Sequence, residues 1–319
     1  MAKTQDHLIE ITIPDSMYGE RVDKALGKLC ADLSRGAIQE LIRQGKVLVD
    51  EEPPKQRDKV QGGEQVEISV EPAQNDVWQP QDIDFKVVFE DDDLIVINKP
   101  AGLVVHPGAG NPDGTLLNGI LYRSPENHRL VRAGIVHRLD KDTSGLMVVA
   151  KTEKTRLALV EDLAEHLVER EYAAICYGRV ISGGTIDEPI GRDRHDRRKM
   201  CVSQFGKPAI THYRVADRYR YHSLLTVQLE TGRTHQIRVH MTHLGFNLIG
   251  DPVYGRRLAI PGDCSPALES QLRAFDRQAL HAQKLQFTHP TSQESVAFEA
   301  ELPADMVALI DVLAQDSQL

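Results

Sequence analysis

The chain has 319 residues, of which 41% are hydrophobic and 27% charged, and its formal net charge is -9. This composition is typical of a soluble globular protein, and the length suits two domains. The sequence excludes two classes of protein, because it has no apolar run of the roughly 20 residues that span a bilayer and no signal peptide at its start. The 4 cysteines stand far apart without a CxxC pair, which indicates reduced thiols in a cytoplasmic protein.

The N-terminal residues 1–75 have the pattern of a small α+β domain. Apolar residues recur at helical spacing over residues 20–33, and a second helix is predicted between an N-cap at Ser34 and a stop at Gly45. The segments KVLVD and EQVEISVE predict two strands. Three cations on or beside the second helix are available to one surface: Arg35, Arg43 and Lys46.

Residues 18–71 resemble the S4 RNA-binding domain. The resemblance rests on RVDKAL, SRGAIQELIRQGKVLVD and GGEQVEI in this order. S4 domains dock two short helices on structured RNA, mainly through contacts to phosphates. Because residues 1–75 have 10 basic and 14 acidic side chains, only a local basic face can make such contacts. The polar residues 76–84 are predicted to form a linker.

Residues 85–319 are predicted to form a second α+β domain, with a mostly antiparallel mixed sheet flanked by helices and loops. KVVFEDDDLIVINK predicts a hairpin, and EYAAICYGRV and HSLLTVQLE predict strands. Residues 152–169 predict an amphipathic helix whose apolar face holds Leu157, Val160, Ala164 and Leu167. ADMVALIDVLAQ predicts a closing helix.

Positive charge is concentrated in residues 191–257, which hold 13 Lys and Arg against 5 Asp and Glu. The rest of the chain therefore has a net charge of -17. This asymmetry is typical of a local polyanion-binding face on an acidic protein. RDRHDRRK, residues 192–199, fits an RNA-contacting loop and a solvated charged loop equally well.

The segment HRLDKDTSG, residues 137–145, places opposite charges between two apolar runs, Ile135–Val136 and Leu146–Ala150, that predict strands. Its TSG end is typical of a turn, so the segment is predicted to be a loop, here called the charged loop. A carboxylate held in a cleft can act as nucleophile or base, and a nearby cation keeps it ionised. The same residues also suit a structural ion pair that caps a turn, so the loop alone leaves both interpretations open.

Three further segments hold polar residues suited to one site. LETGRTHQIRVHMTHLG predicts a strand followed by a short helix, so Arg233, His235 and Arg238 lie near a helix N-terminus, which favours an anion. REYAAICYG offers Tyr172, which can stack on a flat ring or accept a proton. NKPAGLVVHPG places two candidates around a rigid bend: Lys99 and His106.

Together, these segments resemble the RluA family of pseudouridine synthases over nearly the whole chain. HRLDKDTSG fits the family pattern HRLDxxTSG at every fixed position. The resemblance implies an isomerase that needs neither cofactor nor metal and that converts uridines of large-subunit ribosomal RNA to pseudouridine, in the stem-loop facing the small subunit. It implies that Asp140 is the catalytic aspartate, that Tyr172 stacks on the target uracil and that Arg238 pairs with Asp140.

The resemblance also implies that Arg138 enters the RNA as the target nucleotide leaves its stack. Whether Asp140 attacks the ribose or removes a sugar proton stays open. The partner is expected to be large-subunit ribosomal RNA or a pre-ribosomal particle, bound by a monomer. The other candidates are predicted to contact RNA: His137, Lys99, His106, Arg233, His235, Arg35, Arg43 and Lys46.

Two other functions are compatible with parts of the sequence. A metal-dependent hydrolase could use His235, His240 and His243, but the H-x4-H-x2-H spacing matches no standard zinc helix. A non-catalytic S4-type RNA-binding or ribosome-assembly protein would bind RNA without modifying its bases.

Overall fold

A computed structural model describes residues 7–30, 35–70, 78–108, 110–196, 198–255 and 259–319. The chain divides into two compact units, Met1–Trp78 and Gln79–Leu319. Among the described residues, none of the helices has the length and hydropathy needed to cross a membrane.

The N-terminal unit combines two helices with a three-stranded antiparallel sheet of order β1-β3-β2. Its elements are β1 (His7–Thr12), α1 (Val22–Leu29), α2 (Arg35–Arg43), β2 (Val47–Val49) and β3 (Gln65–Val70). The two helices, β2 and β3 confirm the predictions, although the predicted cap Ser34 lies outside the described residues. The strand β1 was overlooked, although Ile9, Ile11 and Ile13 alternate as in a half-buried strand and contribute to the core of this unit.

A buried carboxylate joins the two helices of the N-terminal unit. Asp23 on α1 is fully buried. Arg21 Nε and Nη2 donate to its two oxygens at 3.0 and 2.9 Å, and Gln39 Nε2 on α2 donates at 2.5 Å. Since an unpaired buried charge costs several kcal/mol, these partners fix α2, the helix that includes Arg35 and Arg43.

The second unit is built on a nine-stranded sheet that is mostly antiparallel, as predicted. Its strands are β4 (Lys86–Glu90), β5 (Leu94–Lys99), β6 (Ser144–Ala150), β7 (Glu169–Tyr177), β8 (Gly184–Asp187), β11 (Ile210–Arg218), β12 (His222–Leu229), β13 (Leu280–Thr288) and β14 (Ser295–Glu299). The order is β4-β5-β6-β13-β7-β12-β11-β8, and β14 pairs with β13. A separate hairpin consists of β9 (Ile190–Arg192) and β10 (Met200–Val202).

In the described part of this unit, the sheet is accompanied by the α-helices α3 (Leu116–Arg123), α4 (Glu153–Ala164), α5 (Gln236–His243), α6 (Pro266–Ala274) and α7 (Ala304–Asp316). The helices α6 and α7 pack against Ala173 and Ile175 of β7 in one buried cluster. Because side chains alternate along a strand, Tyr172 points to the opposite face of the sheet. This opposite face is where the candidate site lies.

Two local predictions were wrong. The helix α4 exists, but Leu157, Val160 and Leu167 are 55%, 41% and 59% exposed, and Leu159 is the side chain that enters the core. Tertiary packing therefore selected a different face from the one that apolar spacing suggested. Residues 135–136 form no strand, since Ile135 makes only an isolated bridge to Val149.

The parallel pair β6–β13 requires a glycine where the charged loop enters the sheet. Gly145 pairs with Ala282 and has a φ of +119°. A Cβ atom at this position would lie 2.3 Å from the carbonyl oxygen of Ala282, well inside van der Waals contact. Gly145 thus allows the two strands to approach one another directly after the loop that holds Asp140.

We expect Gly145→Ala to lower the free energy of unfolding by at least about 3 kcal/mol, because backbone strain and overpacking add up. The measurement is the midpoint of urea unfolding. Gly114→Ala is the matched control: Gly114 also has a positive φ, +65°, but no atom lies within 4 Å of the added carbon, so only the smaller strain cost of about 1 kcal/mol applies. Equal losses in both variants would contradict this account.

Candidate active site

Asp140 lies in the charged loop with 16% of its side chain exposed. Arg238 Nη1 donates to its Oδ2 at 2.8 Å. The other oxygen, Oδ1, has His235 Nε2 as a neighbour at 3.9 Å, beyond hydrogen-bonding distance. The carboxylate is therefore held at one oxygen and open at the other.

Arg238 is nearly fully buried on α5 and lies between two carboxylates. Its Nε and Nη2 donate to Asp251 Oδ2 and Oδ1 at 2.7 and 2.9 Å. Asp251 Oδ1 also accepts from the backbone amides of Val253 and Tyr254, which fixes the carboxylate in its turn. Although burial opposes the charge, these carboxylates raise the pKa of Arg238 above its ordinary value. Asp251 was not among the predicted site residues, because the sequence around it gave no sign that its carboxylate pairs with a distant arginine.

Lys99 anchors the charged loop from inside the protein. Its side chain is fully buried, and Nζ donates to the carbonyl oxygens of Pro100, Leu103 and Lys141 at 2.8, 2.9 and 2.9 Å. Burial lowers the pKa of Lys99 to about 7, whereas Asp142 and Asp140 act against this shift and the three carbonyls favour the ammonium form. The predicted direct contact with RNA is wrong for this residue, because all three donors are used internally. Instead, Lys99 holds the residue next to Asp140.

His137 also belongs to the support of the loop. Its Nε2 accepts a hydrogen bond from the backbone amide of Val148 at 3.0 Å, and burial, with a contribution from Arg170, lowers its pKa to about 3. The imidazole is therefore neutral and attached to β6. The RNA contact of His137 stays a prediction, since the ring is half-buried and its Nδ1 carries the proton when Nε2 accepts.

Arg138 follows His137 in the charged loop. Its side chain is exposed and forms no hydrogen bond or ion pair with any described residue. His106 lies close enough to be affected by its charge: burial, together with Arg132 and Arg138, lowers the pKa of His106 to about 4. His106 Nε2 is buried and lacks a hydrogen-bond partner among the described residues. The guanidinium of Arg138 and the neutral ring of His106 thus both have hydrogen-bonding groups without a partner among the described residues.

His235 is the neighbour of the open oxygen of Asp140, and Tyr254 contacts the other side of its ring. His235 adopts a left-handed backbone conformation, with a φ of 57°, directly before α5. Its Nδ1 lies 2.8 Å from Tyr254 Oη, which also accepts from the amide of Met200 at 2.8 Å. Burial raises the pKa of Tyr254 to about 12, so the phenol keeps its proton and can donate it to Nδ1. We therefore assign the ring proton of His235 to Nε2, the nitrogen that faces Asp140.

Tyr172 reaches the site through the register of the sheet. It pairs with Ala282 of β13, and Ala282 pairs with Gly145 at the end of the charged loop. The side chain is 6% exposed, and burial, with a contribution from Asp140, raises its pKa above the ordinary value. A neutral phenol ring close to Asp140 is suited to stacking and poorly suited to accepting a proton.

The remaining predicted RNA contacts lie in different surroundings. Arg233 Nε donates to the carbonyl oxygen of Pro208 at 2.9 Å. In the N-terminal unit, Arg43 forms an exposed ion pair with Glu40 at 2.5 Å, and Lys46 is half-buried beside it in sequence. The side chain of Arg35 lies outside the described part of the structure.

Two of the histidines proposed for a zinc site, His235 and His240, have other hydrogen-bond partners. His240 Nδ1 is 2.8 Å from Thr211 Oγ1, and its Nε2 is 3.0 Å from the carbonyl oxygen of Glu188. Within the described ranges, no group of three or more His, Cys, Asp or Glu is arranged to hold a metal ion. The geometry gives no support to the hydrolase interpretation.

Comparison with known proteins places this geometry in a family. Residues 93–243 match the model of the RNA pseudouridylate synthases, and residues 20–66 match that of the S4 domain. The chain is 50% identical over 315 residues to the ribosomal large subunit pseudouridine synthase D of Vibrio parahaemolyticus, with 98% of this chain and 97% of the relative covered. It is 51% identical over 306 residues to the protein of that name from Escherichia coli K12, covering 96% and 94%.

Among solved structures, the human RNA pseudouridylate synthase domain containing 4 is 28% identical to this chain, with a TM-score of 0.57. The match covers 72% of this chain and 93% of the human chain. From the near-complete coverage at about half identity, the chain belongs to the RNA pseudouridylate synthase family and is an RNA pseudouridine synthase with an N-terminal S4 domain.

Proposed function

We propose that this enzyme converts uridines of large-subunit ribosomal RNA to pseudouridine, and that Asp140 acts on the ribose of the target nucleotide. The observation that supports the role of Asp140 most directly is its asymmetric pairing. Arg238 binds Oδ2, whereas Oδ1 accepts no hydrogen bond from a described residue. A carboxylate fixed in this way has one oxygen free for chemistry.

The reaction breaks the bond between uracil N1 and ribose C1′, turns the base and joins it again through C5. Cleavage develops positive charge on the sugar, and a carboxylate beneath the ring stabilises that charge, as in glycoside hydrolysis. Asp140 Oδ1 can attack the ribose carbon or remove a sugar proton, and both routes use the same open oxygen. Two carboxylates share the guanidinium of Arg238, so this group of three side chains retains one net negative charge next to the developing cation.

The target nucleotide must leave its stack before Asp140 can reach it, which costs a few kcal/mol. We propose that Arg138 fills the space that the nucleotide vacates and that the ring of Tyr172 stacks on the uracil. The exposure of Arg138 and the neutral state of Tyr172 support these roles. Both residues lie near Asp140, Arg138 by sequence and Tyr172 through the register of the sheet.

The names of the relatives support the substrate class, and the finer choice of the stem-loop facing the small subunit is part of the proposal. Mapping pseudouridines in ribosomal RNA from cells that lack this protein tests both. Loss of modified positions in that stem-loop is the expected result, and an unchanged map would contradict the proposal. The cytoplasmic location, the monomeric state and a separate role in ribosome assembly stay predictions.

Asp140→Asn should abolish pseudouridine formation, by about a thousandfold or more, because the amide cannot act as nucleophile or base. RNA affinity should stay close to that of the wild type, since one buried polar group is exchanged for a similar one. The measurement is release of tritium from C5-labelled uridine under single-turnover conditions. Asp92→Asn, which removes an exposed carboxylate from the turn between β4 and β5, is the control and should retain most of the activity. Appreciable turnover by the Asp140→Asn protein would remove Asp140 from the chemistry.

Asp251→Asn should lower kcat by about a hundredfold while KM stays within about threefold, because Arg238 loses the partner that orients it and an error of about 1 Å in position is that costly. Steady-state kinetics together with a thermal unfolding midpoint separate this effect from loss of folding. A raised KM with an unchanged kcat would instead place Asp251 in RNA binding.

Tyr172→Ala should reduce kcat/KM by about 5- to 150-fold, the range expected when a base loses its aromatic stacking partner. Tyr172→Phe keeps the ring and should cost much less. Comparing kcat/KM of the two variants on one RNA substrate decides between the roles, because an equal loss in both would favour proton transfer by the hydroxyl.

A further inference from the structure

A solvent-exposed aromatic ring follows the hairpin β9–β10. Phe205 is 87% exposed, and of the large hydrophobic side chains in the described ranges only Ile181 is equally exposed. The guanidinium carbon of Arg194 lies 5.9 Å from the centre of its ring, within the distance of a cation–π contact. Phenylalanine side chains are usually buried, so an exposed phenyl ring next to an arginine is unusual.

The turn that presents Phe205 is fixed in place. The backbone groups of Lys207 and Ile190 exchange two hydrogen bonds of 2.9 Å, and Gly206 N donates to Ser203 O at 2.7 Å. A Cβ atom on Gly206 would lie 2.4 Å from the carbonyl carbon of Ile190, so the turn lies directly against β9. The exposure of the ring is therefore a consequence of the fold and not of a loose loop.

The surroundings of the ring are positively charged. Residues 190–207 contain 6 Lys and Arg and 2 Asp, a net charge of +4. Both acids are already engaged: Asp196 pairs with Arg198 at 3.1 Å, and Asp193 accepts from the backbone amides of His195 and Asp196. The face that Phe205 shares with Arg194 therefore complements a polyanion.

The hairpin is attached to the candidate active site. Ile190 and Ala209 form a buried cluster with Val239 of α5, the helix that includes Arg238. In addition, Met200 N of β10 donates to Tyr254 Oη, the hydroxyl that contacts His235. A group bound at Phe205 is thus held on the same rigid support as the catalytic pair.

We propose that Phe205 is a stacking site for an unpaired nucleobase of the RNA substrate other than the uridine that is modified, with Arg194 and its basic neighbours bound to the flanking phosphates. The inference rests on the proposed function, since it takes the substrate to be RNA. Every base has a flat face, so an isolated ring among cations suits nucleic acid. A protein partner would call for a wider apolar patch with fewer charges.

The test compares Phe205→Ala, Phe205→Trp and the control Ile181→Ala, which removes an equally exposed side chain without an aromatic ring. For each protein, Kd, KM and kcat are measured with an in vitro transcript of large-subunit ribosomal RNA. Phe205→Ala should raise Kd and KM by about tenfold and leave kcat unchanged. Phe205→Trp keeps an aromatic ring and should therefore have the Kd and KM of the wild type. Ile181→Ala should also match the wild type. Arg194→Ala should reduce the slope of log affinity against log salt by about 1.

The outcomes separate this inference from the proposed function. A wild-type protein that forms no pseudouridine in the transcript contradicts the proposed substrate, whereas the Kd values still decide the stacking role. Equal Kd values for wild type and Phe205→Ala overturn the stacking site even if wild-type turnover is normal. A defect seen only with intact pre-ribosomal particles and not with naked RNA also overturns it, because the ring would then contact a protein.

Discussion

The structure of the catalytic unit depends on one buried guanidinium shared by two carboxylates. Arg238 is 4% exposed, and a charge removed from water in this way is tolerated only with well-placed partners. Asp251 takes two of its donors in a bidentate pair, and Asp140 takes a third. One partner thus stabilises the arginine, and the other is positioned by it. Because the one guanidinium pairs with two carboxylates, Asp140 is held in place and this buried trio keeps one net negative charge.

The charged loop is fixed on several sides, which explains why so many ions interrupt apolar sequence. Lys99 binds the carbonyl of Lys141 from within, Gln278 Nε2 donates to Thr143 Oγ1 at 2.9 Å, and His137 binds β6. These contacts hold the loop before any substrate arrives, which is the preorganisation that electrostatic catalysis requires. Arg138 is the exception, since its side chain projects from a fixed backbone without an intramolecular partner among the described residues. Within this short segment, residues with internal contacts therefore surround one exposed arginine.

The uneven charge of the chain has a structural counterpart. An acidic protein is a poor general partner for RNA, so positive surface must be local. The hairpin β9–β10 provides such a surface in the catalytic unit, and its contact with α5 and Tyr254 ties it to the buried pair. The positively charged hairpin and Arg238 are thus connected through one helix.

The sequence by itself determined the S4-type helices, the β4–β5 hairpin and the loop with Asp140, because periodicity, turn residues and a nine-residue pattern are local properties. The family resemblance added the pairing of Arg238 with Asp140. Only the tertiary structure decided that Lys99 is buried, that His137 supports β6, that Leu157 faces solvent and that Asp251 orients Arg238. Arg238 and Asp140 are 98 positions apart, and whether a charged side chain loses its water depends on what such distant segments bring against it. From sequence alone a lysine is expected at the surface, and only the packing around Lys99 places its ammonium inside the protein.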